Sequence, residues 1–256
     1  MQPENHHIIA NGWSSLQQFT AARIALGRAG VSLPVHEVLR FKMAHAHARD
    51  AVFSLLDRDS LTQQLTALDL PPVISLQSCA TDRHLYLQRP DFGRRLSESS
   101  KQYLSSLTVI PCDICISIAD GLSAEAINRH AIPVISLLIN KFRQCQWQAA
   151  PVCLVEGGRV AISDEISFAL QARLSLILIG ERPGLSSPDS MGAYITFAPR
   201  AGLTDERRNC VSNIRPEGLG YEEAANKIHY LISEAFRLTL SGVALKDNAV
   251  AGLPDV

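Results

Sequence analysis

The sequence predicts an α/β fold, with a Rossmann-like and mainly parallel sheet that follows an N-terminal helical region. From Pro71 onwards, short apolar runs alternate with segments of helical length, which is typical of a parallel sheet covered by helices on both faces. Before Pro71, the apolar residues Val38, Phe41, Val52 and Leu55 recur at helical spacing. Hydrophobic residues make up 46% of the 256 residues and charged residues 19%, which is the balance of a packed globular protein.

Three helices are predicted before the sheet begins. Ser15 predicts the cap of a helix over residues 16–28, and Pro34 predicts the start of a second helix that runs to about Leu56. A shorter helix is predicted over Leu61–Leu68. The chain is thus expected to have four parts: a flexible tail over 1–13, the helical region over 14–70, a Rossmann-like domain over 71–247 and a C-terminal tail over 248–256.

Five buried strands and four helices are predicted in the Rossmann-like domain. The apolar runs that predict strands are Val73–Cys79, Ile114–Ala119, Val152–Val155, Leu174–Ile179 and Ala193–Phe197. The segments that predict helices are 91–107, 123–145, 164–173 and 221–239. Because ligands of such sheets bind at the carboxyl ends of the strands, a binding site is expected in the connections at that edge.

Three connections expected at this edge are unusual in composition. Glu156–Val160 forms a glycine-rich turn into a helix that Ser163 is expected to cap. Gly180–Ser190 is longer and richer in Gly and Pro than a simple connection needs, and Arg208–Gly218 carries several polar groups with few apolar anchors. Each segment alone could equally be a solvated loop. Their shared edge favours a ligand site.

Charge and hydropathy exclude several classes of protein. Lys and Arg number 24 against 25 Asp and Glu, so the formal net charge is -1, which argues against a nucleic-acid partner. Apolar stretches such as Ala131–Ile139 are far shorter than the roughly 18 residues that a membrane helix needs. The first residues have neither the cationic start nor the apolar core of a secretory signal, so we expect a cytoplasmic protein without a membrane partner.

The six cysteines are expected to be reduced and mostly buried thiols. Cys112 and Cys115 form a C-x-x-C pair, but their segment predicts a strand and no second ligand pair at zinc-site spacing follows. A metal-binding or redox function of Cys112 and Cys115 is therefore the less favoured interpretation.

No self-contained catalytic set is present in the sequence. Gly121–Glu125 resembles a nucleophile elbow but has Glu125 where that motif needs glycine, so Ser123 is better explained as a helix cap. Asp120 could face the ligand edge or cap the following helix. The pair Arg94-Arg95 could bind an anion or a partner's carboxylates, or could be an ordinary charged helix start. The chain is therefore expected to hold something for the active site of another chain.

Five segments, in this order, resemble the small (light) chain of ethanolamine ammonia-lyase: Thr20–Gly30, Leu85–Leu96, Ser117–Ser123, Ile179–Leu185 and Asn209–Ile214. The resemblance runs from about residue 14 to residue 247. It implies an adenosylcobalamin-dependent lyase that converts ethanolamine to acetaldehyde and ammonia by a radical mechanism. In that family a large, TIM-type barrel subunit binds ethanolamine, and the cobalamin lies between the two subunits.

The resemblance also implies which residues contact the cofactor. The family's cobalamin contacts fall on Val160, Glu181 and Cys210, each in one of the three unusual connections. Glu181 would accept N–H bonds from the corrin amides, and Val160 would pack on the ring or on the nucleotide tail. Cys210 is not expected to ligate cobalt, and no metal-ligating or catalytic residue is expected in this chain. The D-x-H-x-x-G signature is absent, so the cofactor's own base is expected to stay on cobalt.

The family implies a hetero-oligomer in which this chain is inactive alone. The N-terminal helices and Arg94-Arg95 are the expected interface with the large subunit. Family members packaged in bacterial microcompartments often have a longer N-terminal extension, so plain cytoplasm is expected and packaging is the alternative. Two other functions stay open: a non-enzymatic cobalamin-binding or carrier module, and, by fold analogy alone, a nucleotide-dependent oxidoreductase.

Overall fold

The computed structural model describes residues 8–247 and contains a six-stranded sheet with helices on both faces. The predicted tail segments 1–7 and 248–256 lie outside the described residues. The strands are β1 (Ile74–Gln77), β2 (Cys112–Ala119), β3 (Cys153–Glu156), β4 (Ala172–Gly180), β5 (Met191–Phe197) and β6 (Arg208–Ile214), in the spatial order β1-β3-β2-β4-β5-β6. The first four strands in this order are parallel, β5 is antiparallel to β4, and β6 is antiparallel to β5. The predicted α/β class is confirmed, with a mixed sheet.

Two helix layers cover the sheet. The helices are α1 (Val35–Phe53), α2 (Arg58–Thr66), α3 (Arg83–Gln88), α4 (Glu98–Ser106), α5 (Ala124–Gln144), α6 (Ile162–Ala169) and α7 (Tyr221–Leu238). The core on one face is formed with α5 and α7, and the core on the other face is formed with α4 and α6. Consecutive parallel strands are joined through helices on alternating faces, as right-handed crossovers require.

The central strands form where the sequence is continuously apolar. Every residue from Ile114 to Ala119 in β2 and from Leu174 to Gly180 in β4 is buried. A strand with helices on both sides has no solvent-facing positions, so its sequence shows an unbroken apolar run rather than an alternation. Helix α7 packs against the outer strands β5 and β6 on one face, and on their other face Tyr194 is half-buried and Cys210 is exposed.

Side-chain caps fix the starts of four helices. Ser123 Oγ accepts a hydrogen bond from the Ala126 amide at 3.3 Å and begins α5, as the sequence predicted. Asp57, Asp82 and Ser97 cap α2, α3 and α4 in the same way. The prediction for Ser163 is wrong, because α6 begins at Ile162 and the Ser163 hydroxyl donates back to the Val160 carbonyl at 2.9 Å.

The helix predicted over residues 16–28 does not form. Only a short 3-10 turn, Ser14–Phe19, is present, and Thr20 is extended. Ala25 and Gly27 have positive φ values of 51° and 72°, which are incompatible with a right-handed helix. The segment instead folds back so that Ile9 and Arg28 exchange two backbone hydrogen bonds, a pairing between distant residues that helical spacing cannot reveal.

The helix predicted over residues 91–107 is interrupted. A 3-10 turn over Phe92–Arg94 is followed by extended backbone before α4 begins, and α3 was not predicted at all. The interruption has a tertiary cause, since Arg95 O accepts from the Cys79 amide and the Ser97 amide donates to Gln77 O, which adds the segment to the end of β1.

The segment Arg208–Gly218, predicted as a polar loop, is a strand over most of its length. Its first seven residues form β6, and only Arg208, Val211 and Ile214 of these are buried. An edge strand packed on one face needs few apolar positions, so its pattern is weak. The chain direction of β6 equals that of β4, so its carboxyl end still reaches the predicted ligand edge.

The helix α1 confirms the prediction from Pro34, but it packs little on its own chain. Only Glu37 and Ala51 of its 19 residues are buried. Its end is attached to the sheet domain, since the Glu125 amide donates to Ser54 Oγ at 2.9 Å. None of the helices between residues 8 and 247 is long and apolar enough to cross a membrane.

Candidate functional site

Two recesses lie side by side on the α6 side of the sheet. The first, of about 430 Å³, reaches Glu181 at the carboxyl end of β4, and the second, of about 420 Å³, reaches Cys210 on β6. Arg159, Val160 and Tyr194 line both. The residues singled out in the sequence, Val160, Glu181 and Cys210, therefore border one continuous depression with Val160 at its centre. We refer to the two parts as the first recess and the second recess.

Glu181 is held in place by the end of β6. The Ser212 hydroxyl donates to Glu181 Oε1 at 2.6 Å, and the Asn213 amide donates to Oε2 at 3.2 Å. A Cβ on Gly192 of β5 would come within 2.9 Å of Oε1, so this glycine leaves the space that the carboxylate crosses. Each oxygen keeps a free lone pair, so the fixed carboxylate can accept further N–H bonds from a ligand.

Cys210 lies on the face of the sheet, not in a loop at its edge. It pairs with Tyr194, which in turn pairs with Ile177 halfway along β4. Desolvation raises the pKa of the Cys210 thiol and also that of the neighbouring Tyr194 hydroxyl. The thiol is therefore protonated at neutral pH, whereas thiolate is the form that binds metals.

The turn before α6 is fixed by stacking on Tyr86. The guanidinium carbon of Arg159 lies 4.2 Å from the centre of the Tyr86 ring, and that of Arg83 lies 4.7 Å from it. The Tyr86 hydroxyl donates to Gly158 O at 3.2 Å, and burial raises the pKa of this hydroxyl. Cation–π contacts of this kind stabilise desolvated guanidinium groups. They set the position of Val160, the next residue after Arg159.

Asp120 connects the ends of two strands. Its Oδ1 accepts from the amides of Gly121 at 2.9 Å and Gly158 at 3.1 Å, and its Oδ2 lies 3.7 Å from Arg83 Nη1. Burial raises the pKa of this carboxyl to about 6 against the opposing effect of these donors. Asp120 thus caps no helix, and it lines a separate cavity between α2 and α3 rather than either recess.

The long connection after β4 is anchored to α5. Asp189 accepts from Arg129 Nη1 at 2.9 Å, and the Ser123 hydroxyl donates to Pro188 O at 3.1 Å. The Glu181 amide closes the base of the connection by donating to Ser190 O at 2.9 Å. Glu181 therefore extends from a rigid support, which is what a binding residue needs to keep its geometry.

The cysteines only partly follow the expectation of burial. Cys115 and Cys153 are buried, but Cys145 and Cys210 are exposed, and all six thiols are free. Among residues 8–247, no group of three or more His, Cys, Asp or Glu side chains is placed to hold a metal ion.

Sequence reasoning missed several residues that shape the recesses. Tyr194 lines both recesses because it pairs with Cys210, and Tyr86 lines the first recess because α3 passes beside the β3–α6 turn. Arg208 lines the second recess as part of an unpredicted strand. The alternation in β5, where Ala193 and Ile195 are buried and Tyr194 is half-buried, was the available signal for Tyr194.

Comparison with known proteins shows the family to which this chain is similar. Residues 10–246 match the family described as ethanolamine ammonia-lyase light chain (EutC). The chain belongs to this family. The ethanolamine ammonia-lyase small subunit of Ralstonia nicotianae is 53% identical over 245 residues, which cover 94% of this chain and 90% of the relative. The small subunits of Xanthomonas campestris pv. campestris and Pseudomonas putida are 52% and 51% identical over 242 residues, 93% of this chain and 89% of each relative.

Membership of the light-chain family confirms the resemblance found in the five sequence segments. The match begins ahead of α1 and ends beyond α7, so both the exposed N-terminal helix and the sheet with its two recesses belong to the shared architecture.

Proposed function

We propose that this chain is the small subunit of an adenosylcobalamin-dependent ethanolamine ammonia-lyase and holds the cobalamin against a large barrel subunit. The observation that carries the proposal is the continuous depression around Val160. The three positions that the family resemblance assigns to the cofactor, separated by up to 50 residues in sequence, border this one depression. Three residues taken at random from different parts of the chain have no reason to converge on one depression.

The residues that line the two recesses fit a flat ligand that carries amide groups around its edge. Glu181 offers a fixed acceptor for amide N–H groups, while Val160 and the Tyr194 ring offer apolar contact. Arg159 Nε is buried and has no hydrogen-bond partner among the described residues. It can therefore donate a hydrogen bond to an acceptor on a ligand. Corrin rings carry amide N–H donors at their margin that Glu181 can accept, and the rest of the cobalamin molecule carries further acceptors. A corrin is also larger than either recess, which agrees with a second subunit covering its other side.

The role of this chain is positional. When bound, adenosylcobalamin supplies the radical chemistry by which ethanolamine is converted to acetaldehyde and ammonia. Glu181 orients the ligand through its amide fringe, and Val160 with Tyr194 excludes water from the side facing this subunit. Cys210 adds a small protonated side chain at the margin. The chain supplies no reacting group under this proposal, so it is inactive without its partner.

The large subunit is expected to bind the N-terminal part of the chain. Eight apolar side chains there are more than half exposed, and we call them the N-terminal apolar surface: Ile9, Trp13, Phe19, Val31, Val35, Leu39, Met43 and Leu55. Isolated soluble proteins rarely expose so many large apolar side chains in one region. The surface lies on elements that their own chain barely buries, which favours an obligate partner.

Ammonia release tests the proposed function directly. The chain, the large subunit and the two co-expressed are each supplied with ethanolamine and adenosylcobalamin. We expect ammonia only from the co-expressed complex. A complex that forms and binds cobalamin but releases no ammonia would point to a carrier module. Release by the large subunit alone at the same rate would rule out the subunit role.

Glu181→Ala is expected to weaken binding of adenosylcobalamin to the assembled complex by about 10- to 100-fold, the range for losing a hydrogen bond to a charged group. The fold should be unchanged, because Glu181 is only half-buried. Ser212→Ala removes one of the two bonds that hold the carboxylate, so a smaller loss of about 2- to 10-fold is expected. Binding is measured by titration followed through cobalamin absorbance.

Glu98→Ala is the matched control for these variants, since Glu98 is an exposed carboxylate on α4 that lines neither recess. Its affinity should equal that of the wild-type complex. An unchanged affinity for Glu181→Ala in an intact complex would remove Glu181 from the cofactor site.

A further inference from the structure

Arg159 has hydrogen-bonding capacity that the chain does not use. Its guanidinium stacks on Tyr86, and Nη2 donates to Tyr86 O at 3.3 Å. Its Nε is buried without a partner, and no carboxylate between residues 8 and 247 lies within ion-pair distance of it. A guanidinium is always charged and carries five donors in a rigid fork, so a half-buried one without a counter-ion calls for an anion.

The neighbouring backbone at Gly93 fixes the position of the Arg159 side chain. A Cβ on Gly93 would come within 2.7 Å of Arg159 Cγ and within 3.0 Å of Gly157 O, so the glycine provides the space through which the side chain passes. The Arg159 amide donates to Gly93 O at 2.7 Å and fixes the backbone at the same place. The guanidinium therefore reaches the junction of the two recesses in one preferred arrangement.

The second recess is cationic. Arg94, Arg159 and Arg208 line it, and Asp205 is the carboxylate in its wall. Arg208 is compensated by Asp164 at 2.7 Å and by Asp205 at 3.8 Å. Arg94 is exposed and, within the described part of the chain, has neither an ion pair nor a side-chain hydrogen bond. Two uncompensated guanidinium groups, Arg94 and Arg159, thus face a recess of about 420 Å³.

We propose that the second recess is an anion subsite in which Arg159 and Arg94 bind the phosphodiester in the nucleotide tail of the cobalamin. This inference rests on the proposed function and adds to it the direction in which the cofactor lies. The phosphodiester is the anionic group of an otherwise amide-rich molecule, and guanidinium groups bind phosphate in bidentate geometry. In this arrangement the corrin ring would lie over the first recess beside Glu181. The nucleotide tail would follow β6 past Cys210, and Val160 would lie between the corrin ring and the tail.

Two corrinoids that differ in the tail test this arrangement. Adenosylcobinamide keeps the corrin and the adenosyl group but lacks the nucleotide and its phosphodiester. Affinities for adenosylcobalamin and adenosylcobinamide are measured by titration on the full complex with the large subunit. Arg159→Gln and Arg94→Gln are expected to weaken adenosylcobalamin binding by about 10- to 100-fold and to leave adenosylcobinamide binding unchanged. Glu181→Ala should weaken both corrinoids by the same factor.

Controls separate the subsite from general effects of charge. Arg159→Lys keeps the charge without the planar fork and should recover part of the lost affinity. Arg237→Gln changes an exposed arginine on α7, outside both recesses, and should leave both affinities at the wild-type value. Inorganic phosphate should compete with adenosylcobalamin in the wild-type complex but not with adenosylcobinamide.

The outcomes distinguish this inference from the function on which it rests. Equal losses for the two corrinoids in Arg94→Gln and Arg159→Gln, or no loss for either, would overturn the anion subsite while leaving the cofactor site intact. A wild-type complex that binds neither corrinoid would overturn the proposed function and the subsite together. Because Arg94 is exposed, its variant remains informative even if Arg159→Gln fails to fold.

Discussion

Asp164→Ala is expected to lower the free energy of unfolding by about 3–5 kcal/mol, because it removes the buried partner of Arg208 and leaves only the exposed carboxylate of Asp205, 3.8 Å away. Arg208 Nη2 donates to Asp164 Oδ2 at 2.7 Å, and both side chains are 2% exposed. Carbonyl oxygens of Leu203 and Thr204 accept weaker bonds from the same guanidinium and cannot replace the charge. Desolvation raises the pKa of Asp164 to about 6, so the carboxyl is still mainly ionised at pH 7.

Thermal unfolding monitored by circular dichroism measures this effect. For a chain of this size, the loss corresponds to a fall in Tm of roughly 6–20 °C. The double variant Asp164→Leu/Arg208→Met should recover most of the stability, since apolar residues of similar volume often replace a buried ion pair without cost.

Glu234→Ala is the control that tests whether the loss of stability in Asp164→Ala depends on the burial of the ion pair. Glu234 pairs with Arg237 at 2.6 Å on the surface of α7, a distance as short as that of the buried pair. Solvent screens this pair, so its loss should leave Tm unchanged. Equal Tm values for Asp164→Ala, Glu234→Ala and the wild type would show that the buried pair contributes nothing to the fold.

The Asp164–Arg208 pair also joins the two walls of the second recess. Asp164 lies in the first turn of α6, four residues after Val160, and Arg208 lies two residues before Cys210. Without the pair, β6 loses its only ion pair to α6 within the described chain, and the distance between Val160 and Cys210 is no longer fixed. A stability defect at this site should therefore be accompanied by weaker binding of the cobalamin nucleotide tail.

The central elements could be predicted because burial alone decides them. The strands β2 and β4 and the helices α5 and α7 were predicted within a few residues, since their apolar positions are dictated by packing on both sides of the sheet. The edge strand β6 escaped prediction because its three buried positions leave no regular alternation. The segment 16–28 escaped because its pairing with Ile9 and two positive φ values depend on residues distant in sequence.

The candidate site shows the same division. Loop composition at a sheet edge pointed to the segments that contain Val160 and Glu181, because glycine, proline and polar residues concentrate there. It placed Cys210 in a loop, although the residue lies on a strand beside Tyr194. Arg159 and Tyr86 could not be predicted as a stacked pair, since their contact joins α3 to a turn more than 70 residues away. The role of Arg159 in binding stays a prediction.

Phe19→Asp is expected to weaken assembly with the large subunit by about 30- to 1000-fold, the effect of losing a buried aromatic residue at the centre of an interface. Phe19 is 77% exposed in the isolated chain and belongs to the N-terminal apolar surface. No element of the described chain covers it, so the substitution should leave the stability of the sheet domain unchanged. Co-purification and analytical ultracentrifugation of the mixed subunits measure the change.

A matched phenylalanine is available on the sheet domain. Phe168 on α6 is 66% exposed, and Phe168→Asp introduces the same charge outside the N-terminal apolar surface. Assembly of this variant should proceed with wild-type affinity. Leu39→Asp, on α1, tests a second point of the same surface and should weaken assembly in the manner of Phe19→Asp.

The poor packing of α1, which carries Leu39, is a further reason to expect that a partner covers the N-terminal apolar surface. A 19-residue helix with two buried residues obtains little stability from its own chain, because most helical stability in proteins comes from tertiary packing. We therefore expect contact with the large subunit to supply the burial that keeps α1 and its exposed apolar side chains in place. Assembly of Phe19→Asp and Leu39→Asp with unchanged affinity would mean that contacts around the two recesses, and not the N-terminal apolar surface, hold the large subunit.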